Sequence, residues 1–491
     1  MMSVSIWVAD NVRYKTRLLL LTLVIALLGL RLWHIRSDFP SYHFYSQDGA
    51  KFTDEGFYTG AALHHLLLGH AYIPGGWNPG VFMPVWPLMV GAIFHFTGIS
   101  VAAARSLAVI CTWISVLLAY VVARQYRSHM FASITALLLA ANALGFFFAR
   151  LAILEPAFVM FLLLTIYLAG KVQPGNYALA IFVGIIFTIA TLTKTTGPFV
   201  LPAILYPIWS RNREQRSAAW KLLAVTVGVI FLFLGYAKFI WSHYYLTDSQ
   251  IILAMNPLAQ IEHSLPRLLR FFFRGTWVDP VLFPIALLGS IAAAFRLRFL
   301  WRDTLFVTAF LWEAGYTAFI VFHYDGPPRY FFVLIIPTIW LALIFMEWLW
   351  QEHRTVALPL TACIAVSLVW NLACVADYLA HPRYTLLDAS MGIKRVIETE
   401  PASSKLLIGR GADEISLLSG GLPTMDSDGA MPLAEKISVY HPGWLMRWMP
   451  DTPQRMTSVE RTTRVVERAR FHVFDPTEHA TIALYKLLPE K

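Results

Sequence analysis

Of the 491 residues, 14% are charged and 57% apolar, whereas soluble domains carry roughly a quarter charged residues. So little charge cannot coat a soluble globule of this length, so the chain reads as a membrane protein. Residues 377–491 hold 14 basic and 15 acidic side chains, while 1–376 hold 25 and 15. The basic excess therefore lies in the membrane part, where loop cations set orientation, and argues for no nucleic-acid partner.

The first apolar run, from Leu18 to Trp33, follows Arg13, Lys15 and Arg17 with no small-residue cleavage site after it, and is expected to be a retained span. Runs long enough to cross ~30 Å of hydrocarbon fall near 18–35, 101–123, 131–149, 155–170, 219–241, 278–295, 303–322, 330–350 and 356–376. The pair 177–193 and 197–210 reads as a hairpin pinched at Thr193-Lys194-Thr195, which predicts eleven crossings. The stretch Pro84 to Gly98 is placed as a helix in the outer interface. If it does not cross, the loops with Arg124/Arg127, Lys171, Arg211/Arg213/Arg216, Arg296/Arg298/Arg302 and Arg354 share a side with the amino-terminal cations. The amino terminus is then cytoplasmic and the tail outside. Asp38, Asp48, Asp54, Glu55, Glu155, Asp248, Glu262, Asp279 and Asp325 gather on the outer face.

Two domains are expected: a transmembrane domain over 1–376, whose first outer loop is 36–100, and a small α/β domain over 377–491. In the tail, Lys405–Ile408, Ile437–Tyr440, Phe471–Phe474 and Thr481–Leu487 read as strands, and Met391–Glu400 and Asp413–Ser419 as helices. Gly409-Arg410-Gly411 has a shape shared with phosphate loops, but one Gly-x-Gly reads as a turn. Cys111, Cys363 and Cys374 lie in apolar runs without metal-site or redox spacing and read as packing residues.

In the first outer loop, Thr53 can cap a helix whose first turn holds Asp54 and Glu55, where the helix dipole favours carboxylates. Alternatively, a carboxylate at the bilayer surface serves as general base toward an acceptor hydroxyl. Lys194, Arg150 and Arg329 stand at outer helix ends, where each either snorkels or meets an anionic leaving group. Arg267, Arg270 and Arg274 form one face of an amphipathic interfacial helix. Glu313, inside a span, is either functional or a hydrogen-bonded packing residue. His323 and Asp325 near Arg329, and His64/His65 in the loop, could build a metal site only by long-range convergence, and no metal is expected.

The order of these features resembles the GT-C class of lipid-linked-sugar glycosyltransferases, specifically the family 39 group of protein O-mannosyltransferases and aminoarabinose transferases. Asp54-Glu55 follows the first span and precedes Tyr58, Gly69 and Pro74. The Pro84–Gly98 helix comes next, then Arg150-Leu151-Ala152-Ile153-Leu154-Glu155-Pro156 opening a span, Thr193-Lys194 at a hairpin tip, and Pro328-Arg329-Tyr330 opening a late span.

The resemblance implies a polytopic α-helical membrane protein with a catalytic outer cavity and inverting single displacement. Asp54 would match the catalytic aspartate, with Glu55 and Glu155 as neighbouring acids and Lys194, Arg150, Arg329, Tyr330 and Tyr58 as substrate contacts. One departure is Val81-Phe82-Met83-Pro84, which lacks the lysine that aminoarabinose transferases place before their Pro-Pro to bind the donor phosphate. The expected reaction moves a monosaccharide from a polyprenyl-phosphate donor to a lipid, protein or cell-wall glycan acceptor on the noncytoplasmic face, with no cofactor beyond that donor. The alternative class is a secondary transporter or lipid flippase. The odd span count, outer acids and soluble tail favour surface chemistry.

Overall fold

The computed structural model describes residues 2–40, 48, 50–240, 264–322, 327–449, 463–474 and 480–488. In chain order its helices are α1 (Met2–Leu30), α2 (Ala50–Leu68), α3 (Pro79–Phe82), α4 (Val85–Thr97), α5 (Val101–Tyr126), α6 (His129–Ala141), α7 (Ala143–Phe148), α8 (Glu155–Ala169), α9 (Tyr177–Thr193), α10 (Leu201–Asn212), α11 (Arg216–Ile240), α12 (Ser264–Gly275), α13 (Leu282–Phe295), α14 (Thr304–Phe322), α15 (Ile335–Glu352), α16 (Arg354–Ala380), α17 (Thr385–Thr399), α18 (Ala412–Leu418) and α19 (Leu433–Tyr440). The strands are β1 (Leu407–Gly409), β2 (Thr424–Asp426), β3 (Trp444–Met449), β4 (Arg464–His472) and β5 (Thr481–Leu488). Among the described residues, five helices are long and apolar enough to cross a membrane, and five shorter apolar helices accompany them. The chain is a multi-pass membrane protein.

The chain divides into two compact units. The first contains 1–33, 109–149 and 155–377. Here α8 packs on α9, α9 on α11, and α15 on both α13 and α14, with α10 on α14 and α1 on α6 as longer-range pairs. Buried polar groups tie these helices together. Asp279 Oδ1 accepts the Val281 and Leu282 N–H groups at 2.8 Å each, opening α13. Its Oδ2 accepts from Ser367 Oγ at 2.8 Å and Asn371 Nδ2 at 3.0 Å on α16. Asn371 Oδ1 in turn accepts the Ala143 N–H at 2.7 Å. Glu313 accepts from Thr338 Oγ1 of α15 at 3.1 Å, so within its span it is hydrogen-bonded to the next helix.

The apolar run 131–149 is not one helix. Asn142 takes an extended conformation, ends α6, and caps α7 by accepting the Gly145 N–H at 2.8 Å. Its amide donates to Val278 O at 2.6 Å, so the break is held by hydrogen bonds on both sides.

The second unit contains 34–108, 150–154 and 378–491. Its five-stranded sheet has the order β2-β1-β3-β5-β4, with β1 parallel to β2 and β3, and β5 antiparallel to β3 and β4. Ile408, Met425, Leu445, Leu487 and Ile437 form its core, and Ile73 from the segment after α2 joins them. In the same unit α4 ends at Gly98, whose N–H closes the last helical bond to Phe94 O and whose φ of +68° takes the chain out of the helix after thirteen residues. That length rises about 20 Å, short of a hydrocarbon core.

Three local expectations are corrected here. Ile437–Tyr440 is the end of helix α19, not a strand, because Pro432 opens the helix and buried Lys436 is held by the carbonyls of Asp426, Ser427 and Asp428. Strand β4 starts earlier than Phe471 and ends at His472, with Phe474 in the left-handed region at φ +63°. Strands β2 and β3 were not anticipated.

Candidate active site

In the second unit, α2 starts at Ala50, so Thr53 is not its cap and Asp54 and Glu55 lie inside the helix. Thr53 Oγ1 donates to Asp54 Oδ1 at 3.2 Å instead of accepting a backbone N–H. Asp54 is 7% exposed and Glu55 1%. Glu55 receives the Arg105 guanidinium in fork geometry, Nε to Oε1 at 2.8 Å and Nη2 to Oε2 at 2.6 Å. The Ala152 N–H adds a third bond to Oε1 at 2.7 Å. Arg105 Nη1 donates to the carbonyls of Ile35 and Ser37, so one arginine joins the start of α5 to the chain after the first span and to α2. The 150–154 segment is held at Arg150 and Ala152. Arg150 Nη2 donates to His34 O at 2.6 Å while its guanidinium stacks over Tyr378, and Ala152 O accepts from Trp86 Nε1 at 3.1 Å. Tyr58, one turn beyond Asp54, is half-buried.

The tail meets this helix through the turn after β1. Gly411, at φ +73°, donates its N–H to Asp426 Oδ2 at 2.7 Å and sits against Phe52 O. The Gly409-Arg410-Gly411 turn thus gives Asp426 the backbone donor that a phosphate loop would offer its ligand. Asp413 and Glu414 follow directly. Asp413 Oδ1 lies 3.0 Å from His64 Nε2 and accepts from Thr424 Oγ1 at 2.8 Å. Glu414 Oε2 accepts the Gly56 N–H at 2.7 Å. Burial, the charges of Glu55 and Asp54, and only partial relief by Gly56 and Arg105 push the Glu414 carboxyl well above the usual carboxylate range. Burial and the charges of Asp413 and Asp428 likewise raise Asp426 to about 7.

In the first unit, Glu155 opens α8 fully buried, and Lys194 caps the end of α9. Lys194 Nζ lies 2.8 Å from Glu155 Oε1 and 4.7 Å from the centre of the Tyr330 ring. Arg329 stacks on the same ring at 5.3 Å. Gly315 of α14 abuts Phe199 O, where no side chain fits, and brings buried Tyr316 into the electrostatic neighbourhood of Glu155, Arg329 and Tyr330. The predicted residues therefore form two groups: Glu155, Lys194, Arg329 and Tyr330 in the first unit, and Asp54, Glu55, Tyr58 and Arg150 in the second. His323 and Asp325 lie outside the described residues. Among the described residues no three His, Cys, Asp or Glu side chains could hold a metal together.

The sequence pattern did not single out Arg105, Asp413, Glu414, Tyr316 or Gly315. Arg105 carried a usable signal, since a lone arginine inside the 101–123 apolar run is costly unless paired.

Comparison with known proteins matches residues 79–241 to a family model described as dolichyl-phosphate-mannose-protein mannosyltransferase. No curated protein matches the chain. The structure is similar to ArnT from Cupriavidus metallidurans bound to undecaprenyl phosphate. The TM-score is 0.60 at 14% identity, over 94% of this chain and 97% of that one. The apo form of that protein gives 0.59 at 13% identity over the same shares. The archaeal oligosaccharyltransferase AglB from Archaeoglobus fulgidus, in complex with an inhibitory peptide and a dolichol-phosphate, gives 0.53 at 10% identity, over 96% of this chain and 74% of that one. This chain has the GT-C glycosyltransferase fold.

Chemically, the two groups differ in what they leave available. Glu55 is spent on three donors, whereas Glu155 meets one ammonium and its Oε2 has no hydrogen-bond partner among the described residues.

Proposed function

We propose that this protein transfers a monosaccharide from a polyprenyl-phosphate-linked donor to a hydroxyl of a lipid, protein or glycan acceptor on the noncytoplasmic face. The supporting observation is a GT-C likeness over nearly the whole chain to a structure holding undecaprenyl phosphate, together with an aspartate at position 54 whose neighbour Glu55 is already committed to Arg105. In the step, Asp54 accepts the acceptor hydroxyl proton as that oxygen bonds to the anomeric carbon. The bond from that carbon to the phosphate oxygen breaks with its electron pair, and lipid phosphate leaves from the opposite face, inverting the centre. Positive charge is needed where the phosphate departs. Lys194, Arg329 and Arg150 are the proposed contacts, with Tyr330 beside the first two and Tyr58 beside the acceptor. No metal or other cofactor takes part in this reading.

The test is conversion of a lipid-linked monosaccharide to lipid phosphate and glycosylated acceptor by purified protein in detergent, where no solute gradient exists. Mass spectra of glycans and lipids from a deletion strain and its parent would identify the acceptor. Failure to consume any lipid-linked sugar, with solute movement in vesicles instead, overturns the proposal in favour of transport. The orientation is tested by cysteine labelling, expected to reach positions near Arg213 from the cytoplasm and positions near Asp54 and Lys436 from outside. Label reaching Lys436 only from the cytoplasm overturns it.

A further inference from the structure

The tail touches α2 along one face, and the sequence is shaped to receive it. Gly56, Gly60 and His64 recur every four residues and so lie in one row along the helix. At Gly56 a side chain would run into the backbone of Glu414, and at Gly60 it would come within 3.0 Å of the Asp413 carboxylate. His64 completes the row by meeting Asp413. Phe52 O and the Gly56 N–H are the two ends of one i to i+4 helix position. Gly411 lies against the first and Glu414 takes the second. Asp54 precedes Gly56 by two residues, about 200° around the helix axis. The tail therefore grips the side of α2 roughly opposite to Asp54.

Glu414 is fully buried, and its Oε1 accepts no hydrogen bond among the described residues. A carboxylate in that position would be a further negative charge within electrostatic reach of Glu55 and Asp54, with Arg105 already engaged by Glu55. A neutral carboxylic acid fits better, since Oε2 keeps the Gly56 N–H and no third negative charge is buried beside the pair.

We propose that Glu414, in its neutral form, is a positioning residue of the transfer reaction: it fixes the turn of α2 that presents Asp54, so that the soluble tail is an operating part of the active site. This inference rests on the reading of Asp54 as general base. Glu414 touches no substrate and acts through the helix. Its ionisation at high pH would set a third negative charge beside Glu55 and Asp54. The other charged or titratable groups near it are Arg105 on α5 and Asp413 on its own helix, while Lys394 of α17 donates to Ser419 O at the end of that helix.

The experiment compares Glu414→Ala and Glu414→Gln in full-length protein, using a lipid-linked monosaccharide donor. Glu414→Ala should lower kcat by about 10-fold or more with donor KM little changed, because a displaced catalytic group costs rate and not donor binding. Glu414→Gln keeps an oxygen for the Gly56 N–H and should rescue kcat to within about threefold of the parent. The parent should lose kcat on the alkaline side of its pH profile, and Glu414→Gln, which cannot ionise, should lose less there. If Glu414→Ala yields no folded protein, the alkaline limb of Glu414→Gln decides alone. Equal alkaline limbs in parent and Glu414→Gln overturn the proposal, as does an unchanged kcat in Glu414→Ala. Asp54→Asn run in parallel separates the two readings. Parental transfer by Asp54→Asn removes the base assignment itself, whereas a crippled Asp54→Asn beside indifferent Glu414 variants removes only the role of the tail.

Discussion

The two units each bury a carboxylate against a cation, and the pairs are built differently. Glu55 is held by both arms of a guanidinium and by a backbone N–H, a bidentate geometry that fixes direction as well as charge. Glu155 meets a single lysine ammonium, a point charge on a flexible stem that rests on an aromatic ring. The first pair locks a helix in place. In the proposed transfer, the second is parted by a substrate anion that offers Lys194 a better partner. In the proposed transfer, Asp54 beside the locked pair takes the proton, and Lys194 of the loose pair meets the phosphate.

The sharpest way to break this division is Asp54→Asn. Asparagine keeps the size and can still accept from Thr53, but it cannot take a proton. Transfer should fall by about 10²–10⁴-fold with expression and melting temperature close to the parent. Parental rates from such protein would return Asp54 to a structural role. Glu55→Gln should lower the rate of the folded protein less, because Glu55 does not face the acceptor in this reading.

The locked pair predicts loss of stability more than loss of rate. Arg105→Met strands Glu55 without its fork, and breaking a buried ion pair from one side costs about 3–5 kcal/mol. Yield and melting temperature should drop steeply. Adding Glu55→Leu should recover part of that loss, since both charges are then gone. A double variant less stable than Arg105→Met alone would mean that the pair is not what joins these segments.

Much of this contrast is legible in the amino-acid sequence, and the part that is not has a physical explanation. The adjacent acids at 54 and 55 stand out in an apolar chain, as does Lys194 at a hairpin tip. Their partners do not, because Glu55 finds Arg105 and Glu155 finds Lys194 across 50 and 39 residues, and pattern reading sees only neighbours. The kink at Asn142 is hidden because the apolar run continues through it, and one residue supplies both the stop and the next cap. In the tail, β2 is three residues long and β3 carries Arg447 mid-strand, so neither shows clean alternation. Thr53 looks like a cap by type, but the helix begins a turn earlier and the hydroxyl serves Asp54.

For the loose pair, Lys194→Ala should raise the donor KM by about 10-fold, the effect of one charge-assisted contact. Arg270→Ala should do so less, because Arg267 and Arg274 flank it on the same helix. Equal donor KM values in the two variants would take Lys194 out of the phosphate site and leave its contact with Glu155 purely structural.

The smallest expected effect concerns pH and the tail side of the locked pair. Asp426 has a folded value of about 7 against 3.8 for the unreacted side chain. The folded state therefore holds a proton that the unfolded chain has released between about pH 4 and 7, and stability must fall as pH rises through that window. His64 adds to the same trend. Burial disfavours its charge, but the Asp413 carboxylate outweighs that and holds its value above 6.5, so its contribution is present below 6.5 and fades as pH climbs. One group can supply a slope of at most about 1.4 kcal/mol per pH unit, which corresponds to a few degrees in melting temperature for a chain of this size. The first melting transition of the purified protein should thus move down between pH 5 and 8. Asp426→Asn cannot titrate, and although it loses one acceptor, for Gly411 or Asp428, at every pH, it should flatten the part of the slope below pH 7. A parent whose melting temperature rises from pH 5 to 7, or an Asp426→Asn variant with the parental slope, would show that Asp426 is ionised in the folded tail and that the turn docked on α2 does not hold its proton.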